Sequence, residues 1–339
     1  MMPALSMPQP PSRSGSAFRR ALALIGPNFT LATFFVLGLF VVVLTYGGSI
    51  RYKEGPILIS LGIMTGILVL RAIWGVPALL RGTPGAGSAL RSAMLRTVYD
   101  WGPLIIVVWM FESLGAYTGV IRADTVYDQQ MYDADVWLCG VEPSLWMGQR
   151  LFHPLLVDWF AVTYGLYFIT PMVLAAILSL RGRRGDFTEM VSAVVIQMGF
   201  GFILHLFVPV GPPRFFEPLV KLFEPARLHS YTGLMEVQQG VFDTAHQMKT
   251  RASFPSLHCS LGMMTLLYAH RYSSGVFPKR PRLFFHIVCV LVPSLWLATI
   301  YLRHHWLLDI AAGLLLGAGS VLLATRLRKR WPHDDGAKA

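Results

Sequence analysis

The chain has 339 residues, of which 54% are hydrophobic and only 14% are charged. A soluble domain usually carries about 25% charged residues, so this composition excludes an ordinary soluble protein and indicates that lipid is the solvent. The net charge of +11 would suit a nucleic-acid partner. The basic residues lie in short patches between apolar runs, however, which is typical of membrane topology and argues against nucleic acid.

The N-terminal segment precedes the first apolar run. Residues 1–27 begin with a stretch rich in Pro and Ser, and we expect them to form a disordered cytoplasmic segment. Arg19 and Arg20 lie before the run Phe29–Thr45, as basic residues do before the apolar part of a signal peptide. No small-residue cleavage motif follows, and more apolar segments do, so we interpret the run as a retained first span.

Apolar stretches long enough to cross a bilayer, which needs roughly 20 residues, recur along the chain. We predict about eight spans, near 28–47, 56–79, 101–118, 153–180, 188–209, 256–270, 283–301 and 305–325. The third is the weakest, because Glu112 interrupts a short run. The predicted fold class is all-α, a polytopic membrane helical bundle.

The basic residues set the orientation of these spans. They concentrate before span one and after spans two, four, six and eight, and cytoplasmic segments carry the excess of Lys and Arg. Both termini are therefore predicted to be cytoplasmic, and residues 327–339 to form a basic tail. Two long outer segments remain, about 119–152 and 210–255. The first is acidic and carries Asp124, Asp128, Asp133, Asp135 and Glu142.

The first group of candidate residues opens span eight, in the sequence Tyr301-Leu-Arg-His-His-Trp-Leu-Leu-Asp309. Residues four apart share a helix face, so His305 and Asp309 can touch. A carboxylate on one ring nitrogen fixes the tautomer and leaves the other nitrogen nucleophilic. His304 has Leu308 at the same offset and lacks such a partner. The alternative is a structural ion pair of Arg303 with Asp309.

The second group opens span six, in Ser253-Phe-Pro-Ser-Leu-His258. Proline and serine are favoured at helix starts, and the free N–H groups of a first turn bind phosphate readily. We expect the Ser256 hydroxyl to add a donor and His258 to act as a general acid. Simple helix capping with a solvated histidine is the alternative.

The third group, Gly211-Pro-Pro-Arg-Phe-Phe216, follows span five. The planar guanidinium of Arg214 suits phosphate oxygens. The alternative is an interfacial arginine that extends its charge to water.

All three groups fall on the outer side, and together they predict phosphoryl transfer. His305 attacks phosphorus, Asp309 stabilises the imidazolium, and His258 protonates the departing oxygen. Arg214, Arg303 and backbone N–H groups bind the phosphate oxygens. No metal or other cofactor is required, and Cys139, Cys259 and Cys289 form neither a disulfide framework nor a metal-binding spacing.

These motifs resemble those of the type 2 phosphatidic acid phosphatase superfamily. Pro255-Ser-Leu-His258, with His305 and Asp309 one pair of spans later, carries the resemblance over roughly residues 120–325. It implies that His305 is the phosphorylated nucleophile and His258 the general acid. It also implies a six-helix catalytic core, which we place at 119–326 after the N-terminal spans in 28–118.

The chain departs from the superfamily's lipid phosphatases at two basic positions. They usually have a Lys seven residues before an Arg-Pro pair, where this chain has Phe207, Arg214 and Phe215. They also have an Arg six residues before the nucleophile, where this chain has Thr299. These differences favour the branch that resembles inositol phosphorylceramide and sphingomyelin synthases. Such enzymes transfer a phosphorylated head group to a lipid or polyol acceptor, and the outer Asp residues are candidate head-group ligands. The alternative is that they form an acidic, solvated loop.

Three alternatives to head-group transfer stay open. A phosphatase of a lipid phosphate or polyprenyl pyrophosphate would use the same residues with water as acceptor. A transporter would use His305 and Asp309 as a proton relay. A metal-dependent hydrolase would use His258, His305 and Asp309 as ligands. The expected location is the plasma (inner) membrane, with the active site facing outside and a phospholipid as substrate.

Overall fold

A computed structural model describes residues 17–46, 54–114, 126–223, 228–237, 251–277 and 279–331. The predicted all-α class is confirmed, and a β-bridge joins Val210 to Ala252. The helices are α1 Ala17–Tyr46, α2 Glu54–Leu80, α3 Ala86–Leu114, α4 Asp128–Cys139, α5 Pro143–Arg150, α6 Pro154–Gly165, α7 Ile169–Leu180, α8 Arg184–Phe207, α9 Glu217–Phe223, α10 Leu257–Val276, α11 Leu283–Tyr301 and α12 Leu307–Arg330.

Several helices are long and apolar enough to cross a bilayer, so the chain is an integral membrane protein. Among the described residues five helices qualify by length and hydropathy, and the bent pair α6–α7 makes a sixth. The five are α1, α2, α8, α11 and α12. The third and sixth predicted spans correspond to α3 and α10, helices of 29 and 20 residues that lie outside this apolar set.

Three predicted boundaries differ from the structure. α1 begins at Ala17 and bends at Gly26–Pro27, so part of the segment expected to be disordered is helical. α3 begins at Ala86, because the basic stretch predicted as a connection continues the helix. The single span predicted at 153–180 consists of two helices, α6 and α7, and the chain bends by 42° between them. Residues before 17 and after 331, the end of the third predicted span, and Asp124 lie outside the described part of the chain.

α8 is the central helix of the bundle, buried between α1, α3, α7, α10 and α12. Polar side chains also join it to α10 inside the apolar region. The Ser260 hydroxyl donates to Gln197 Oε1 at 2.5 Å, and both residues are fully buried. Such interhelical hydrogen bonds stabilise bundles in lipid, where apolar burial alone gives little preference for packing.

α10 and α12 approach each other closely along two glycines of α12. A Cβ on Gly313 would lie 2.3 Å from the Ser256 carbonyl oxygen, and one on Gly317 would lie 2.4 Å from that of Ser260. Only glycine fits at such a contact, since backbone atoms cannot move aside as a flexible side chain can. This contact fixes the start of α10, which carries His258, against the start of α12, which follows His305.

A network of charged side chains joins α8, α10 and α12 at the end of the bundle opposite to His258 and His305. Glu189 of α8 is buried and accepts from Arg271 Nη1 of α10 at 2.5 Å. It also accepts from Thr325 Oγ1 at 2.7 Å and Arg328 Nη1 at 3.0 Å, both of α12. Asp186 bonds the same Arg328 at 2.7 Å. A buried carboxylate needs such partners, because an unpaired charge there is strongly destabilising.

Candidate active site

The site forms where three loop segments meet, at one end of α8, α10, α11 and α12. Backbone bonds hold the segments together: Ser256 N–H donates to the Asp309 carbonyl at 2.9 Å, and Arg214 N–H to the Arg303 carbonyl at 3.3 Å. Ser253 N–H donates to the Val210 carbonyl at 3.0 Å. The three groups of residues that the sequence singled out are therefore adjacent in space.

His305 and Asp309 contact each other, although His305 lies before the first residue of α12 and so does not share a helix face with Asp309. The distance from His305 Nδ1 to Asp309 Oδ2 is 3.3 Å, and both side chains are buried. The same carboxylate oxygen accepts the Trp306 backbone N–H at 3.0 Å. This second bond is the reach-back of an acidic residue in the first turn to the residue that caps the helix. Asp309 thus orients His305 from a fixed position.

His258 completes a line of three side chains. Its Nδ1 lies 3.2 Å from His305 Nε2. If His305 Nδ1–H donates to Asp309, its Nε2 carries a lone pair, and the His258 Nδ1–H is then the donor between the two rings. In the line His258–His305–Asp309, His258 can donate or accept a proton at one end, and His305 in the middle provides a nucleophilic nitrogen.

His304 is part of the site, although no partner for it could be predicted from the sequence. Its ring stacks on Tyr164, with centroids 4.2 Å apart and planes at 12°. Tyr164 also stacks on His258 at 4.6 Å, and Tyr167 contacts His258 at 4.2 Å. Both tyrosines come from the bent region of α6–α7, so this bend positions two aromatic rings against the histidines.

Arg214 lies beside His304. Its Nη1 is 2.5 Å from His304 Nδ1, and its guanidinium lies 4.9 Å over the ring of Phe215. Pro213 begins the short helical turn Pro213–Phe215 that carries Arg214, and its fixed φ suits that position. The arginine therefore brings a positive charge and a planar set of donors beside the histidine cluster.

Ser256 and Arg303, which the sequence predicts as phosphate ligands, both contact other parts of the protein. Ser256 is fully buried, and its hydroxyl oxygen accepts the Cys259 N–H at 3.3 Å as the N-cap of α10. This capping bond uses a lone pair of the oxygen, so the hydroxyl can still donate its proton. Arg303 has a left-handed φ of 64° and lies 3.9 Å over the ring of Phe223. Its Nη2 also lies against Gly148, so the guanidinium packs on α5 and α9.

The acidic outer segment turns two of its carboxylates inward. Asp128 accepts the Gly211 N–H at 2.8 Å and pairs with Arg251. Asp135 accepts the Leu307 N–H at 3.1 Å. Asp133 is exposed and bonds Gln129 at 2.8 Å on the same helix. The inward carboxylates contact the backbone of the site segments, which a scan of the sequence for local motifs does not reveal.

Burial is the largest cause of the pKa shifts of Asp135, Glu142 and Arg303. It raises the pKa of the Asp135 carboxyl to about 7, against the opposing effect of the Leu307 hydrogen bond. It also raises the pKa of Glu142, whose carboxylate accepts from Ser144 and Leu145 at the start of α5. Burial lowers the pKa of the Arg303 guanidinium to about 10, and the nearby Glu142 opposes that shift.

A sequence model of the PAP2 superfamily matches residues 130–323. The chain belongs to the PAP2 superfamily. It is therefore an enzyme of a superfamily that comprises phosphatases and phosphotransferases. No curated protein and no solved structure matches the chain. The superfamily match is more general than the head-group transferase branch that the sequence favoured, so that branch remains a proposal.

Proposed function

We propose that this PAP2 superfamily enzyme is a membrane lipid phosphotransferase. It transfers a phosphorylated head group, with inositol phosphate as one candidate, from a phospholipid to a lipid or polyol acceptor through a phosphohistidine. The observation that carries the proposal is the hydrogen-bonded line His258–His305–Asp309, with spacings of 3.2 and 3.3 Å.

The proposed first step forms the phosphohistidine. The His305 Nε2 lone pair attacks phosphorus, and the bond from phosphorus to the lipid oxygen breaks. His258 gives its proton to that oxygen, which leaves as an alcohol. Asp309 stabilises the imidazolium-type ring that results, as an orienting carboxylate does in other histidine-dependent sites.

The second step regenerates the enzyme. The acceptor hydroxyl attacks phosphorus while His258 takes its proton, and the bond between phosphorus and His305 breaks. Arg214 and the first-turn N–H groups of α10 carry the charge on the equatorial oxygens. Ser256 supports that turn as its cap, and Arg303 supports the loop that carries His304 and His305.

Burial of the site favours an alcohol acceptor over water. His304 and His305 are both buried, and two tyrosine rings cover His258. The differences at Phe207, Phe215 and Thr299 from the basic pattern of lipid phosphatases point the same way. Hydrolysis of a lipid phosphate or polyprenyl pyrophosphate is the second candidate, because it would use the same histidines.

We place the protein in the plasma (inner) membrane as part of the proposal, and the charge distribution along α12 supports a site that faces outside. The helix begins beside His305 and ends in Arg328, Lys329 and Arg330. Its 24 residues span about 36 Å at 1.5 Å per residue, enough to cross a bilayer. Since basic residues favour the cytoplasmic side, the opposite end, with the site, is assigned to the outside.

Product analysis tests the proposal. The purified protein in detergent and EDTA is given phosphatidylinositol, phosphatidic acid or a polyprenyl pyrophosphate, with and without ceramide or diacylglycerol. Mass spectrometry of the products should show a new phospholipid that requires the lipid acceptor. Release of phosphate regardless of acceptor would establish the phosphatase instead, and loss of all activity in EDTA would favour a metal-dependent mechanism.

A further inference from the structure

The inner face of α4 is formed by two carboxylates and a methionine. The buried residues of this helix are Asp128, Met131 and Asp135. Their spacings of three and four residues put them on one face. A buried carboxylate is costly unless it is hydrogen-bonded. Each of these two carboxylates has a backbone N–H of a different site segment as its partner.

Asp128 holds the segment that leads to Arg214. Its Oδ1 accepts the Gly211 N–H at 2.8 Å, and Arg251 pairs with the other oxygen. A Cβ on Gly211 would lie 2.9 Å from the Arg251 guanidinium and 3.3 Å from the Asp128 carboxylate. The contact is therefore tight enough to fix the backbone three residues before Arg214.

Asp135 holds the start of α12. Both of its oxygens lie close to the Leu307 N–H, at 3.1 and 3.2 Å. Leu307 is the first residue of α12 and comes two residues after His305. The N–H groups of a first helical turn have no partner within the helix, so a carboxylate from elsewhere satisfies one and fixes its direction.

A third hydrogen bond joins the Gly211 segment directly to the start of α12. The Trp306 indole Nε1–H donates to the Gly211 carbonyl at 2.8 Å. Met131 packs in the same apolar cluster as Trp306. The hydrogen bonds therefore form a closed loop. Asp128 of α4 bonds Gly211, Gly211 bonds Trp306, and the next residue, Leu307, bonds Asp135 of α4.

We propose that α4 is a positioning element, in which Asp128 and Asp135 set the placement of Arg214 relative to His305. The inward Asp residues thus act on the backbone of the site and do not bind the head group. This inference rests on the proposed transfer at His305. Displacement of a reacting group by about 1 Å can cost on the order of 100-fold in rate.

Asp135→Ala, Asp135→Asn and the exposed control Asp133→Ala test the inference through steady-state kinetics. We expect Asp135→Ala to lower kcat about 10- to 100-fold, with KM for the lipid donor within about threefold, because geometry is lost and not binding. Asp135→Asn keeps an acceptor oxygen for the Leu307 N–H and should recover most of kcat. Asp133→Ala should behave as wild type.

A second pair of variants removes the donor instead of the acceptor. Leu307→Pro lacks the N–H, at the first helical position that tolerates proline. The extended backbone of Trp306, with ψ of 160°, also suits a residue before proline. Leu307→Ala changes the side chain but keeps the N–H. We expect Leu307→Pro to lose far more kcat than Leu307→Ala, and to add little further loss to Asp135→Ala.

Results that contradict the positioning role of α4 differ from those that contradict the transfer reaction. A raised KM with normal kcat in Asp135→Ala would overturn the inference in favour of head-group binding, as would equal activity of Leu307→Pro and Leu307→Ala. If Asp135→Ala does not fold, the two Leu307 variants still decide. Failure of the transfer proposal is distinct, because His305→Ala would then turn over or the wild type would form no transfer product.

Discussion

At the scale of single residues, one carboxylate oxygen of Asp309 fixes the direction of the His305 ring. It accepts from His305 Nδ1 and from the Trp306 N–H, the latter at 3.0 Å. The backbone bond holds the carboxylate still, so the ring it faces has one favoured tautomer and orientation. Both bonds are local, within four residues, which is why the sequence could predict the pair.

Asp309→Asn tests this orienting role. The amide oxygen can keep the Trp306 bond, so we expect the fold to be retained. The negative charge that stabilises the imidazolium is lost, and kcat should fall by about 10²- to 10⁴-fold, as for orienting carboxylates elsewhere. Measured kcat together with the thermal midpoint separates the two effects. A mild loss would mean that Asp309 is structural.

His305→Ala tests the covalent step. We expect turnover and phosphorus labelling of the protein to disappear, because the attacking nitrogen is gone. His270→Ala is the matched control, since His270 is an exposed histidine of α10 that contacts Phe285. Quenched samples analysed by mass spectrometry report the label. Labelling that persists in His305→Ala would place the nucleophile elsewhere.

At the scale of helices, the contact of α10 with α12 determines how far His258 lies from His305. Gly313 stands against the Ser256 carbonyl, two residues before His258 in the chain. The Ser256 N–H also bonds the Asp309 carbonyl of α12 at 2.9 Å. The two histidines are therefore spaced by backbone contacts as well as by their own hydrogen bond.

Gly313→Ala should disturb this spacing. The added methyl group would overlap a backbone oxygen, so the helices must separate, and we expect destabilisation of about 1–3 kcal/mol with a marked loss of kcat. Gly319→Ala on the same helix is the control, because a Cβ there meets nothing within 4 Å. Alanine at that position should be neutral or slightly stabilising. Equal thermal midpoints for the two variants would contradict the argument.

Asp135 gives α4 a pH-dependent stability. Because burial raises the folded-state pKa of its carboxyl to about 7 from 3.8, the folded state holds this proton more tightly than the unfolded state does. Stability from this group is then greatest at low pH and falls as pH rises from about 4 to 7. We expect the thermal midpoint of Asp135→Asn to fall less than that of wild type between pH 5 and 8. Asp133→Asn should follow wild type, and parallel curves for all three would refute the effect.

At the scale of the whole molecule, the two ends of the bundle serve different purposes. The site end brings α4 and three loop segments together, whereas the other end joins α8, α10 and α12 through Glu189. The length of α8 and α12 separates the two ends. Changes at the Glu189 end are therefore expected to act on stability and not on chemistry.

Glu189→Gln tests this separation. The amide keeps an acceptor oxygen but loses charge-assisted bonds to Arg271 and Arg328, so we expect a loss of roughly 1–3 kcal/mol. The arginines are partly exposed, which limits the loss. KM and kcat of the folded protein should stay unchanged. Asp100→Asn, which removes a pair with the exposed Arg184, is the milder comparison. A kcat effect in Glu189→Gln would show coupling between the ends.

The parts of the molecule that depend on local spacing could be predicted from the sequence. The helical class, His305 with Asp309, and the adjacency of His258 and Arg214 follow from short motifs and from topology. His304 was missed because Tyr164 and Arg214 are distant in the chain, and the helix offset rule compares only near neighbours. For Asp128 and Asp135 the sequence suggests either head-group binding or a solvated acidic loop, since nothing local shows which side chains turn inward. The bend in α6–α7 lies within a continuous apolar run, so hydropathy could not locate it.

The contact between the two histidine rings has a further consequence for chemical selectivity. If the His305 Nδ1–H donates to Asp309, the Nε2 lone pair that must attack phosphorus accepts the His258 proton, with His258 Nδ1 and His305 Nε2 3.2 Å apart. Any electrophile reaches that nitrogen only after the His258 ring turns away, and Tyr164 and Tyr167 pack on that ring. A substrate whose leaving oxygen takes the His258 hydrogen bond would draw the ring aside as it binds. A molecule without such an oxygen leaves the His305 nitrogen blocked by His258. The His258 proton that assists the leaving oxygen therefore also limits side reactions of His305 with other molecules in the lipid.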